Sequence, residues 1–172
     1  MHDTLERLSK KDLKELLVKG WMTHDGMWFF HSLQESGIET TNRINLAAIK
    51  SMATAEIKRI RKAIGIEKKK ITSMEEVEMI MDAMFDIVKG EFMDFEYRFE
   101  GNVCHWEWKK CWAHDGIKMM GALDTYKCGV IWRVQCWYEA LGVRLDIRPP
   151  VNGCLMHQTG KCAGEMVVHF DQ

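Results

Sequence analysis

No stretch of this 172-residue chain approaches the ~20 consecutive apolar residues that a helix needs to cross a bilayer, so no membrane span is expected. A dominant sign of charge is missing as well. There are 24 Lys and Arg against 25 Asp and Glu, a net charge of −1. No basic groove with interleaved aromatics stands out. The sequence therefore predicts neither a nucleic-acid partner nor attachment to an anionic membrane. It also lacks a glycine-rich phosphate loop, a Gly-x-Ser-x-Gly elbow and a helical His-Glu-x-x-His, which leaves no sign of a nucleotide site, a nucleophile elbow or a helical zinc motif. The opening residues, Met1-His2-Asp3-Thr4-Leu5-Glu6-Arg7, are charged and have no apolar signal core, which predicts a cytoplasmic protein. In such a reducing compartment six cysteines read as free thiols or metal ligands rather than disulfides.

Thirteen methionines and seven tryptophans are many for this length. Methionine fills irregular space and tryptophan supplies large flat walls, so both suit a roomy apolar pocket as well as an ordinary helical core. The length suits one domain, 1–172, with a helical part at 1–90 and a strand-helix-strand-strand part at 91–172. Charge is uneven locally. Residues 43–70 are mostly basic, ending in Lys68-Lys69-Lys70, and 74–100 are mostly acidic. Two solvated helix faces would explain this, and so would a homodimer whose opposite patches meet across a two-fold axis.

Ser9 and Asp12 form a helix-start signal, and Leu13, Leu16, Leu17, Trp21, Met27 and Trp28 follow at helical spacing. Gly37 reads as a left-handed cap. Gly20, His24, Met27 and His31 share one face with Leu13 and Leu17, which makes that face the expected inward one. A pair of hydrogen-bonded core histidines is the plain reading of it. The functional reading takes His24 and His31 as pocket-lining bases, with Asp25 orienting His24. Asn42 is expected to cap a second helix to about Ile64, with Ile44, Ala48, Met52, Ile57, Ile60 and Ile64 as its apolar stripe. Ser73 and Glu76 open a third helix through Val88, burying Val77, Ile80, Met81, Met84 and Ile87. Over 92–103 the period changes to two, which reads as a strand with one wet face, and Gly101-Asn102 permits a bulge or a tight turn. Residues 104–115 read as a short helix. Asp124-Thr125 is expected to cap a helix through Leu141, stopped by Gly142. Strands follow at 143–147 and 165–170. The fold class is α+β, with N-terminal helices packed on a small antiparallel sheet.

The last third holds the densest chemistry: Cys128 at a helix start, then Cys154 and Cys162 bracketing a loop that carries His157 and Gly160. A helix start, a loop and a strand start can converge, and a helix N-terminus favours thiolate. Spacing this loose fits a metal site and buried free thiols equally. Cys111 and Cys136 read as buried free thiols.

On these residues the run from Cys128 to Phe170 resembles the end of the 4-vinyl reductase domain superfamily, which includes aromatic-hydrocarbon sensor domains and, more distantly, Bet3-like tethering subunits. Cys128, Cys154 and Cys162 match its zinc-binding members in order and spacing. The resemblance implies zinc held by these three cysteines in a Bet3/4-vinyl-reductase-like fold, with iron as the second metal. Those members carry an acidic fourth ligand three residues before the middle cysteine, where this chain has Val151. The fourth donor is then expected from Cys104, at the end of the 92–103 strand, or from His157, or from an exogenous group. The whole chain, through the His24-Asp25-Gly26-x-Trp28 run and these cysteines, also resembles an uncharacterised prokaryotic group related to 2-amino-thiazoline-4-carboxylic acid hydrolase-like proteins.

Three functions follow as expectations. The first is a metal-binding, small-molecule-binding protein whose apolar pocket, walled by Trp28 and Trp108, takes an aromatic or cyclic ligand. The second is a metal-assisted hydrolase or reductase of such a compound, using His24, Asp25 and His31. The third is a scaffold subunit of a larger assembly.

Overall fold

Helix α1 (Lys10–Ala63) runs 54 residues and is bent where Gly37 leaves helical geometry at φ 73°, ψ 169°. The computed structural model describes residues 5–67 and 70–170, so Met1–Thr4 and the Lys68-Lys69 pair of the basic run lie outside the described residues. Gly37 is no chain stop. Its positive φ suits a residue without Cβ, Thr41 Oγ1 donates to its carbonyl at 2.8 Å, and the helix resumes at once. Ser9 and Asp12 cap the start reciprocally, with the Asp12 amide 3.1 Å from Ser9 Oγ and Ser9 N 3.0 Å from Asp12 Oδ2. Asn42 sits inside the helix rather than at a cap. It spends both ends of its amide on a distant loop, as described below.

The inward side of the first arm is the reverse of the expected one. Val18, Met22 and Phe29 are buried, while Leu16, Leu17, Met27, Trp28, His24 and His31 are exposed. Residues 18, 22 and 29 share a helical face as well as the expected set does. In the second arm the expected stripe holds at its C-terminal end and fails at its start. Ala53, Ile57 and Ile60 are buried, while Ile44 and Ala48 reach solvent.

Helix α2 (Met74–Val88) starts where Ser73 Oγ accepts from Glu76 N at 3.4 Å, and Glu76 Oε2 accepts from Thr72 N at 2.9 Å. Val77, Ile80, Met81 and Met84 are buried as the pattern required, with Phe85 and Val88 inward in place of Ile87. Strands β1 (Asp94–Glu100) and β2 (Val103–Lys110) form a hairpin across Gly101-Asn102. The helix expected over 104–115 is thus mostly strand. Cys104, Trp106 and Trp108 alternate inward against His105, Glu107 and Lys109, a period of two. Helix α3 (Trp112–Met119) begins only after Cys111. Helix α4 (Gly129–Leu141) starts at Cys128, later than the Asp124-Thr125 signal, and stops at Gly142 in left-handed geometry. Strand β3 (Arg144–Arg148), the short helix α5 (Leu155–Thr159) and strand β4 (Cys162–His169) complete the chain.

The four strands form one antiparallel sheet in the order β1-β2-β4-β3. This is an α+β architecture. Its inner face carries Phe95, Trp108, Cys162, Met166 and Val168, with Trp108 directly opposite Cys162. Phe85 of α2 meets Phe95 at 5.5 Å and Trp137 of α4 at 5.8 Å, which closes the layer between helices and sheet. Helix α1 packs along α4, and one core cluster draws residues from both halves of the chain. No helix among the described residues is long and apolar enough to cross a membrane.

Candidate metal centre and adjoining pocket

Two hollows share a wall. The larger, about 310 Å³, is bounded by both arms of α1, the end of α2, β1, β2, α3 and α4. Its sides are Met22, Phe29, Ile49, Met52, Phe85, Met93, Phe95, Trp108, Trp112, Val134 and Trp137. Exposed Met27 and Met119 lie at its mouth. The flexible thioethers and flat rings give an adaptable apolar surface.

Polar groups gather on one side. Asp25, Asn45 and Arg133 line the same hollow. Burial raises the Asp25 carboxyl above the usual Asp range, against the opposing pull of His24 and Arg133. Arg133 is held from behind. Glu56 takes its Nε at 3.1 Å and its Nη2 in a second close bond, and the Trp137 indole donates to the same carboxylate at 2.8 Å. The guanidinium lies 4.3 Å from the Trp21 ring centre and 5.1 Å from that of Trp137. An arginine so fixed lines the hollow with little conformational freedom left to lose.

The smaller void, about 10 Å³, is lined by the four cysteines 111, 128, 154 and 162. Cys111, Cys128 and Cys154 each immediately precede a helix, α3, α4 and α5 in turn, and Cys162 opens β4. Asn42 steadies the loop between α3 and α4. Its Nδ2 donates to Thr125 O at 2.8 Å and its Oδ1 accepts from Lys127 N at 3.1 Å, next to Cys128. Gly129 lets α4 approach α1, since a Cβ there would stand 2.8 Å from Ile49 Cδ1.

Burial pushes the Cys128 thiol up to about 12 and the Cys111 and Cys162 thiols upward too. The thiols also reinforce one another: Cys111 and Cys154 raise Cys128, and Cys128, Cys111 and Cys154 raise Cys162. Backbone amides oppose this, those of Val130 and Ile131 at Cys128 and those of Ala113 and His114 at Cys111. None closes as a side-chain cap hydrogen bond. All six cysteines are free. Among the described residues no three His, Cys, Asp or Glu side chains already stand in metal-holding geometry. The donor set itself, soft sulfur on separate elements around one small void, suits zinc or iron.

Of the residues singled out in the sequence, Cys128, Cys154 and Cys162 come together here, and Trp108 walls both hollows. Asp25 lines the larger one. Cys104 does not join the cluster. It pairs with Met166 on β4, four positions along from the Trp108–Cys162 pair, roughly 13 Å away. Burial raises its thiol to about 11, and it faces the buried Tyr138 hydroxyl. His157 is exposed and bonds Asp124 at 2.7 Å, outside the void lining. His24 and His31 are exposed and outside both linings, as is Trp28. The His24–Asp25 pair does exist, at 3.7 Å, with the carboxylate inside and the imidazole outside.

Sequence reasoning missed Cys111, Arg133 and Glu56. The signal for Cys111 was its place just before a helix, shared with Cys128 and Cys154. For Arg133 it was a lone charge in the run Val130-Ile131-Trp132-Arg133-Val134.

Residues 6–86 of this chain match the model of a family of unknown function (DUF6125), just under half of the sequence. The match covers the α1 and most of the α2 wall of the large pocket and ends before all six cysteines. No curated protein and no solved structure matches the chain.

Proposed function

We propose that this is a small-molecule-binding protein whose pocket lies beside a cysteine metal site holding zinc or, alternatively, iron. One observation carries the reading: an apolar cavity of about 310 Å³ shares Trp108, Ala113, Tyr126 and Val130 with the void that gathers Cys128, Cys154 and Cys162. A ligand suited to it has a flat or flexible apolar body for the Met, Phe and Trp walls. It also has a polar group for the Asp25–Arg133 side. The aromatic or cyclic class implied by the resemblance to aromatic-sensor domains meets the first demand, and a polar substituent on such a ring meets the second. A metal held by Cys128, Cys154 and Cys162 would fix the positions of α4, α5 and β4, beside one wall of the pocket. The enzyme reading finds less support, because His24 and His31 point away from the cavity.

The test uses a named probe, 1-anilinonaphthalene-8-sulfonate, an aromatic anion that fluoresces in apolar surroundings. Wild type should bind it saturably at one site. Gly116 lines the cavity, and a Cβ there would meet nothing within 4 Å, so Gly116→Leu places bulk in open space. This variant should bind the probe about tenfold more weakly, a loss of ~1.4 kcal/mol, while melting no lower than wild type. Equal binding by both proteins would place the probe on the surface and end the pocket reading. Elemental analysis of protein purified without oxygen tests the metal half.

A further inference from the structure

The resemblance supplies three ligands and leaves the fourth open. The chain itself offers a candidate that the sequence pattern did not. Cys111 is 8% exposed and lines the same void as Cys128, Cys154 and Cys162. It stands immediately before α3, as Cys128 and Cys154 stand immediately before α4 and α5. Cys104 lies outside that lining, paired with Met166 four positions along β2 from the Trp108–Cys162 pair. His157 is turned outward to Asp124. His114 also borders the void, but its Nδ1 lies 3.0 Å from Asp115 Oδ1, and at Cys111 it acts through its backbone amide. Val151 also borders the void, with an apolar side chain that offers no donor.

We propose that Cys111 is the fourth thiolate of a closed Cys111–Cys128–Cys154–Cys162 metal centre, structural rather than catalytic. This rests on the reading above that the other three hold a metal. Four thiols from separate elements meet at one small buried void, the donor set of a tetrahedral thiolate site. On loading, each thiol yields its proton to solvent, the sulfurs close to ~2.3 Å from a zinc ion, and a dianionic tetrathiolate results with no change of oxidation state. The amides of Ala113 and His114, Val130 and Ile131, and Met156 are already directed at Cys111, Cys128 and Cys162 respectively, where they stabilise thiolate charge. Four sulfurs leave no open coordination position, so no water is activated here. Any ligand chemistry belongs to the neighbouring pocket.

Zinc K-edge absorption fine structure on the wild-type full chain, purified with reductant, tests this without a variant. The expected result is a sulfur-only shell of four scatterers. A shell of three sulfurs and one nitrogen or oxygen overturns the assignment to Cys111 while leaving the metal reading intact. Cobalt substitution gives an independent check. The thiolate-to-cobalt charge-transfer band should fall by about a quarter in Cys111→Ser, one donor of a four-donor set, and stay unchanged in Cys104→Ser. A fall in Cys104→Ser instead overturns the proposal. If wild type takes up neither zinc nor cobalt, the metal reading fails and this inference fails with it.

Discussion

Removing the Glu56 carboxylate should destabilise this protein far more than its place near the surface of α1 suggests. Arg133 has only 11% of its side chain exposed and Glu56 17%. Their contact is a two-point fork, and the same carboxylate accepts from the Trp137 indole at 2.8 Å. Trp137 itself is 1% exposed. In Glu56→Ala the guanidinium stays between Trp21 and Trp137 without its counter-ion, and a buried N–H loses its acceptor. Breaking one partner of a buried pair costs ~3–5 kcal/mol. Asp25, which already feels Arg133, offers partial compensation and favours the lower end. A loss of about 3 kcal/mol corresponds to roughly 6–12 °C in melting temperature for a domain of this size. Urea denaturation followed by circular dichroism reads the change, with an unaltered m-value as the check that only stability moved. The double variant Glu56→Leu with Arg133→Met removes both charges and keeps apolar volume. It should recover the part of the loss that comes from the orphaned charge, while the Trp137 N–H stays without its acceptor. Two results refute this account: Glu56→Ala within about 1 kcal/mol of wild type, or a double variant no more stable than the single one.

Asn42→Ala should cost about 2–3 kcal/mol, since it removes two hydrogen bonds and leaves the Lys127 amide without its acceptor. Because that loop leads to Cys128, metal affinity measured by competition with a chelator should weaken in parallel, and affinity unchanged at reduced stability would contradict the coupling. The metal-free protein should lose stability in alkali. Folded Cys104 keeps its proton up to about pH 11, against an ordinary thiol value of 9.0. Between these values the unfolded chain binds fewer protons than the folded one. The stabilisation is complete below pH 9 and fades as pH rises toward 11, by up to about 1.4 kcal/mol per pH unit from this group. Denaturation curves at pH 9 and pH 10 should show a flatter dependence in Cys104→Ala than in wild type, and identical slopes would contradict the assignment.

Much of the backbone plan was legible in the amino-acid sequence by itself. The Ser9–Asp12 and Ser73–Glu76 caps, the tight turn that Gly101-Asn102 permits, the Gly142 stop and the α+β class follow from local chemistry, because a cap or a turn is settled by residues a few positions apart. Which face of α1 turns inward was decided only in the assembled molecule. Leu16, Leu17, Met27 and Trp28 lie on one side and Val18, Met22 and Phe29 on another, and periodicity alone accepts both stripes. The α4 surface against which α1 packs selects the second. For 104–110 the tryptophans hid an alternation that the pairing with β4 made plain. The two hollows have the same origin. Cys111, Arg133 and Glu56 lie far from their partners in the chain, and only the packing of α3, α4 and β4 brings four sulfurs to one void and sets a charged fork behind an apolar cavity.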